Sequence, residues 1–285
     1  MIRIIGALVG LGFAFVVLLS FGFDTYNAAT TKAEKSAEYV FYEESHGPDG
    51  GFAHDGVFGK WDLQQLQRGY QVYKEVCSSC HGMKFVAFRD LADLGYNEDE
   101  VKALAAEWVT VPGVDADTGE AIVRPGSPTD YIPSPYPNQI AAAKANNNAI
   151  PPDLSLITKA RHHGPEYVYS LLTGYSQPSA ELKAEFPDFE TPDGLHFNKY
   201  FPNLNLAMAP PITVDGQVSY TDGTEPTISQ MSEDVAAFLT WTAEPTMVER
   251  KQKGWPVLGF LLFATILAFF AKKQIWSAVK PKKAK

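Results

Sequence analysis

Two long apolar runs bracket the chain, and a mixed pattern fills the space between them. Residues 4–23, IIGALVGLGFAFVVLLSFGF, carry no charge and are preceded only by Arg3. A short positive stretch before an apolar core is the pattern of a secretory leader. About 20 apolar residues also suffice to span a bilayer. The nearest small-x-small cleavage signatures are Ser20-Phe21-Gly22 and Asn27-Ala28-Ala29. Residues 1–23 therefore read either as a leader that is removed or as an anchor that is kept. The second run, Trp255 to Ala271, is equally free of charge and lies between Trp255 and Trp276. Tryptophans at both ends of an apolar run are interfacial anchors, so a transmembrane helix is predicted over 254–276, with a basic tail over 277–285.

Inside residues 24–253 the apolar positions recur at helical spacing in four places. Leu63, Leu66, Tyr70 and Tyr73 line one face of a helix opened by Asp62, with Gln65 three residues on as in a capping box. Asn97 and Glu100 announce a helix over 98–109. Pro165 at the first position and Gly174 just past the end delimit one over 165–173. Met231, Val235, Phe238 and Leu239 line a helix over 230–243, capped by Ser229 or Ser232 and stopped by Pro245. Loops rich in Pro, Gly and Asn separate these helices, PTDYIPSPYPNQ at 128–139 being the clearest. The fold class is mainly α.

Charge orients the chain. Lys272, Lys273, Lys280, Lys282, Lys283 and Lys285 follow the second apolar run, whereas Arg250, Lys251 and Lys253 precede it. The more basic flank stays in the cytoplasm, which puts residues 24–253 outside it, in a bacterial periplasm. All 33 acidic residues fall within 24–249, against 14 basic ones, so the exported part carries a net charge of −19. Such a surface repels nucleic acid and suits a cationic partner met by electrostatic steering.

The chain has two cysteines, in EVCSSCHGMK at 75–84. A thioredoxin-like CxxC would need a βαβ context, and a zinc site would need a second ligand pair; neither is in the sequence. His81 directly behind Cys80 completes C-x-x-C-H, the attachment sequence for c-type haem. Two thiols at this spacing reach the two vinyl groups on one porphyrin edge, and the next residue stands under the iron. Cys77, Cys80 and His81 thus predict one covalent haem c, with His81 as the proximal ligand. A helix before the motif and another near the domain's end is the layout of class I cytochromes c, in which those helices cross.

A distal ligand remains to be named. Met83 is too near the attachment site, Met231 lies on a helix stripe, and Met247 adjoins the apolar run. Met208, in NLAMAPPI, sits in a stretch stiffened by Pro210 and Pro211, while His162 and His163 are rivals near a helix start. Asp115, Asp117 and Gly119 in DADTGE faintly resemble a calcium loop, but a plain hairpin turn accounts for them better.

Several stretches taken together resemble the cytochrome c1 family, the haem-bearing subunit of the cytochrome bc1 complex. They are EVCSSCHGMKFVAFRDL, NNNAIPPDLSLITKARHHGPEYVYSLLTGY, LHFNKYFPN, LAMAPPI and DGTEPTISQMSEDVAAFLTWTAEP. The resemblance covers residue 56 to the C-terminus. It implies a class I cytochrome c-like haem domain with long loop insertions, held by a C-terminal transmembrane helix. It implies Met208 as distal ligand, Arg161 as partner of a haem propionate, and Asn146, Pro151 and Tyr167 near the haem. It also implies cytochrome b, the Rieske iron–sulfur protein and cytochrome c as partners, and a dimeric parent complex. In that setting the chain is a non-catalytic electron-transfer subunit of a quinol:cytochrome c oxidoreductase. Some relatives carry a further disulfide, for which this chain has no cysteine to spare. A membrane-anchored cytochrome c of a terminal oxidase or a free shuttle, and a CxxC thiol oxidoreductase, are the alternatives. Residues 24–55 and the 110–140 loop match nothing that assigns them a role.

Overall fold

The computed structural model describes residues 2–30, 35–277 and 279, and the tail lysines Lys280, Lys282, Lys283 and Lys285 lie outside the described residues. In chain order the helices are α1 (Ile2–Thr30), α2 (Ala37–Phe41), α3 (Leu63–Glu75), α4 (Glu98–Ala106), α5 (Gln139–Ala145), α6 (Ile157–Ala160), α7 (Gly164–Thr173), α8 (Ala180–Glu185), α9 (Ile228–Ala243) and α10 (Met247–Ser277). The strands are β1 (Met83–Ala87), β2 (Val111–Val114), β3 (Ala121–Arg124), β4 (Tyr131–Ile132), β5 (His196–Phe197) and β6 (Asn205–Leu206). They form three two-stranded antiparallel ribbons, β1–β4, β2–β3 and β5–β6. The mainly α expectation holds.

The centre of the domain is the crossing of α3 over α9, with α7 and α6 packed on the other side of α9. Leu66, Tyr70, Val72 and Tyr73 from α3 meet Met231, Val235, Phe238 and Leu239 from α9 in one continuous core. Each large apolar side chain so buried contributes about 1.5–3 kcal/mol. Gly69 is the point of closest approach. A Cβ there would stand 2.1 Å from Asp234 O and 2.6 Å from Phe238 Cβ, so only glycine lets the two backbones meet. Next to it, the Arg68 guanidinium grips the buried Asp234 carboxylate at both oxygens (2.9 and 3.0 Å) and reaches Asp222 at 2.7 Å.

Local signals set most boundaries and mislead at three. Asp62 caps α3 by accepting from Gln64 N and Gln65 N, but Gln65 does not close a capping box. Its amide donates instead to Glu233 Oε1 across the crossing (2.8 Å), a longer-range bond that wins the side chain. Asn97 and Glu100 do form the reciprocal box, although α4 ends at Ala106 rather than 109. Thr227, not Ser229 or Ser232, caps α9. Ser229 bonds Tyr169 (2.8 Å) and Ser232 donates back to Ile228 O (2.7 Å). Gly174 follows α7 with φ −92°, outside the left-handed region. It is glycine because a Cβ would stand 2.4 Å from the Tyr200 ring.

The two apolar runs are both helical, and both α1 and α10 are long and apolar enough to cross a membrane. α10 starts at Met247, two turns before the predicted span, so it is continuous from the domain into the apolar run. Residues 35–55 form a strap. Ala37 packs against Leu182, Phe197 and Leu204, Glu43 pairs with Lys199 (2.7 Å), and His46 exchanges two hydrogen bonds with Ser170 (2.8 Å each). In the 110–140 stretch β2 and β3 make a hairpin in which Asp115 accepts from Asp117 N and Thr118 N. This is the turn expected of DADTGE, and no metal-holding cluster of His, Cys, Asp or Glu occurs among the described residues.

Candidate haem site

The last turn of α3 delivers the chain into a 3-10 turn at Cys77–Ser79, so the helix axis points straight at the motif. Both thiols are free and half-buried. Burial, with Cys80 adding to it, pushes the Cys77 thiol up to about 12, which keeps it protonated at neutral pH. Tyr136 Oη and Ser79 Oγ each lie 3.8 Å from Cys80 Sγ. Tyr73, buried on α3, donates to His81 O (3.0 Å) and ties the motif back onto the helix that presents it.

The His81 ring is aimed by a distant segment. Its Nδ1 lies 2.7 Å from Pro152 O, and since a carbonyl can only accept, Nδ1 carries the hydrogen. The Nε2 lone pair is then left for a ligand. Burial lowers the His81 pKa, against the Pro152 bond and Asp153, which favours the neutral ring that a metal requires. The same segment runs beside the chain that follows His81. Leu154 N donates to Gly82 O (2.9 Å), Lys84 N to Asp153 Oδ2 (2.9 Å) and Phe85 N to Ser155 Oγ (3.1 Å). Gly82 also lets Ser134 approach, since a Cβ there would come within 3.1 Å of Ser134 Cα. Four hydrogen bonds to this one segment thus hold the imidazole and the residues behind it.

Met208 differs from the other methionines among the described residues. Met83, Met231 and Met247 are buried in packing roles, whereas Met208 is half-buried at the margin of the same core that Cys77 touches. Tyr175 Oη donates to Met208 O (3.0 Å), and Pro210 and Pro211 stiffen the chain just beyond it. Tyr175 lies near Tyr167, and Tyr167 near Arg161, whose guanidinium donates to Ala160 O (3.1 Å). Burial raises the pKa of both tyrosines, so both remain neutral. Arg161 is exposed, and no carboxylate among the described residues pairs with it. Met208, Tyr175, Tyr167 and Arg161 therefore form one neighbourhood.

The remaining candidates separate. Pro151 adjoins the residue whose carbonyl holds His81. Asn146 ends α5 and spends its amide on Ala142 O (2.8 Å), which brings it to none of the others. His162 and His163 are exposed with their rings 4.0 Å apart and tilted by 57°, and His163, at φ 58°, is the residue from which α7 starts. Pro152, Tyr73 and Tyr175 carry no signal in the sequence. Two of these act through a carbonyl partner and the third through its own carbonyl, so no side-chain pattern advertises them.

The donor set fits a haem of the c type. A neutral imidazole that donates its far N–H to a backbone carbonyl is the usual arrangement of a metal-bound histidine. Two free thiols, one a turn before it and one directly before it, a thioether on a braced loop and a guanidinium with no carboxylate partner among the described residues complete the set.

Comparison with known proteins agrees. Residues 52–279 match the Cytochrome C1 family. The chain is 47% identical over 234 residues to a protein of Rhodospirillum rubrum named cytochrome c1, covering 79% of this chain and 85% of that one. It is 44% identical over 244 residues to the Arabidopsis thaliana protein named cytochrome c1 1, heme protein, mitochondrial (85% and 76%). It is 41% identical over 258 residues to the cytochrome c1, heme protein, of Saccharomyces cerevisiae (90% and 79%).

Proposed function

The chain belongs to the cytochrome c1 family, and from that premise we propose that it is the single-haem c electron carrier of a membrane-anchored bc1 complex. It would take electrons from a Rieske iron–sulfur protein, pass them to a cytochrome c, and sit against cytochrome b in a dimeric assembly. The observation that carries the reading is His81, placed directly behind two free thiols with Nδ1 committed to Pro152 O (2.7 Å).

Each residue then has a defined task. The Cys77 and Cys80 thiols would hold the haem through its two vinyl groups. In each linkage sulfur would bond one vinyl carbon and the thiol hydrogen would go to the other, so no oxidant would be needed. His81 would offer Nε2 and Met208 its thioether as the iron ligands. Arg161 would hold a propionate, a carboxylate that a guanidinium can bind through two parallel hydrogen bonds. When bound, a His/Met haem supplies a one-electron couple at high potential, suited to accepting from an iron–sulfur donor. The polypeptide sets that potential through ligation and burial and uses no side-chain acid or base. The charge of −19 over residues 24–249 supports a basic cytochrome c as acceptor, and transfer to it should slow as salt rises. The flanking lysines support an orientation with this domain in the periplasm and the C-terminus in the cytoplasm. Residues 1–23 serve as leader or anchor.

Purification of the tagged full chain from gently solubilised membranes tests the proposal. Haem b bands and a Rieske-type EPR signal eluting with haem c are expected, with haem staining that survives denaturing electrophoresis. Haem c eluting alone would make the chain an anchored shuttle, and absence of haem staining would return Cys77 and Cys80 to thiol chemistry.

A further inference from the structure

Among residues 152–155, the segment that holds the His81 ring and the chain behind it, one member is charged. Asp153 is half-buried, and backbone N–H groups engage both of its oxygens. Oδ2 accepts from Lys84 N (2.9 Å) and Oδ1 from Ser155 N (3.1 Å). Oδ2 also lies 3.5 Å from where a Gly82 Cβ would stand, so the carboxylate packs directly against the residue that follows His81. No cation among the described residues pairs with it. Lys84 is next to these contacts in the chain, yet its ammonium lies over the Phe85 ring, 5.0 Å from the centroid.

Two neutral N–H dipoles thus fix a full negative charge in place without cancelling it. That charge is felt on both sides of the attachment motif. Burial lowers the His81 pKa, with the Pro152 bond and then Asp153 opposing. Burial raises that of Tyr73, whose hydroxyl donates to His81 O, with Cys77 and then Asp153 adding to the rise. A haem gains one positive charge on oxidation, so a fixed carboxylate behind its proximal ligand favours the oxidised form. Under the effective dielectric of about 20 that suits partly exposed sites, a unit charge close by shifts such an equilibrium about tenfold.

We infer that the Asp153 carboxylate, pinned behind His81 by Lys84 N and Ser155 N, holds the reduction potential of the haem below the value that its two ligands alone would set. Asp153 is a positioning residue whose charge acts across the His81 ring. The inference rests on the haem reading of Cys77, Cys80 and His81.

Redox titration of the haem-loaded full chain, followed in its optical spectrum, provides the test. Asp153→Asn should favour the reduced form about tenfold at a fixed ambient potential, an upward shift of about 59 mV for one electron. Asp153→Glu, which keeps the charge, should cancel most of that shift. Asp117→Asn, which removes a carboxylate from the β2–β3 turn instead, should change the equilibrium less than about twofold. A potential in Asp153→Asn that equals or falls below the wild-type value overturns the proposal. An equal rise in Asp153→Glu overturns it too, because lost geometry rather than lost charge would then be the cause. Asp153→Ser repeats the neutral substitution with a smaller side chain. Loss of haem staining from both neutral variants, with Asp153→Glu still loaded or not, makes Asp153 a structural group and overturns the charge role. Absence of haem staining in the wild type refutes the haem reading itself, and the inference falls with it.

Discussion

At the α3–α9 crossing two backbones touch over Gly69, and a carboxylate with no exposed surface is matched by a guanidinium. Around His81 and Met208 the polypeptide is held differently. There the contacts are hydrogen bonds from an imidazole and from tyrosine hydroxyls to backbone carbonyls, and His81 and Met208 are only half-buried. Close packing gives the crossing stability that tolerates no added atom. Hydrogen bonds to carbonyls give the loops direction while leaving room for a prosthetic group. The scaffold should thus control whether the domain folds, and the loops should control its potential.

Met208→Leu is the strongest test of that division. A fall in reduction potential on the order of a few hundred millivolts is expected, within the ~0.8 V that axial ligands command. The methionine–iron charge-transfer band should vanish while the protein remains folded. An unchanged spectrum and potential would move the ligand to His162 or His163. Gly69→Ala should do the reverse, costing about 3 kcal/mol or more in denaturant unfolding because its Cβ meets backbone rather than a flexible side chain. A wild-type potential in its folded fraction keeps scaffold and ligand loops separate, and a large shift would join them.

The base of the domain extends the scaffold rule to a titratable group. His54 is 3% exposed, packed between Phe52 and Trp61, and its Nε2 finds no partner among the described residues. Burial lowers its pKa to about 4, with Asp55 opposing and Lys251 assisting. A base depressed on folding contributes its full stability above the unfolded pKa of about 6.5 and loses it as pH falls towards 4. Roughly 3 kcal/mol should disappear across that window. His54→Leu should flatten this part of the pH–stability curve, and an unaltered slope would assign the loss to other groups. The smallest effect belongs to Tyr175→Phe, which removes one hydrogen bond to Met208 O. It should cost about 1 kcal/mol and lower the potential far less than Met208→Leu. No change in either would detach Tyr175 from the ligand loop.

How far the sequence could be read depended on how local each signal is. C-x-x-C-H, the amphipathic stripe of α3, the Asn97–Glu100 box and the two apolar runs were all legible, because each is complete within one to five helical turns. Gln65 and the serines of α9 mislead because cross-helix partners and back-bonding, which the capping pattern does not encode, claim their side chains. The strap over 35–55 was invisible for a related reason: its short apolar residues acquire meaning only against Leu182, Phe197 and Leu204.

The site divides along the same line. By itself the sequence determined the C-x-x-C-H spacing and the two runs long and apolar enough to cross a membrane, since spacing and hydropathy are properties of contiguous residues. Only the tertiary structure decided which nitrogen of His81 is free, because the partner that settles it is the carbonyl of Pro152, 71 residues away. It likewise decided that Gly69 must be glycine and that Tyr175 braces Met208. A backbone carbonyl is the same in every residue, so its role is written in position, and position is a property of the folded chain.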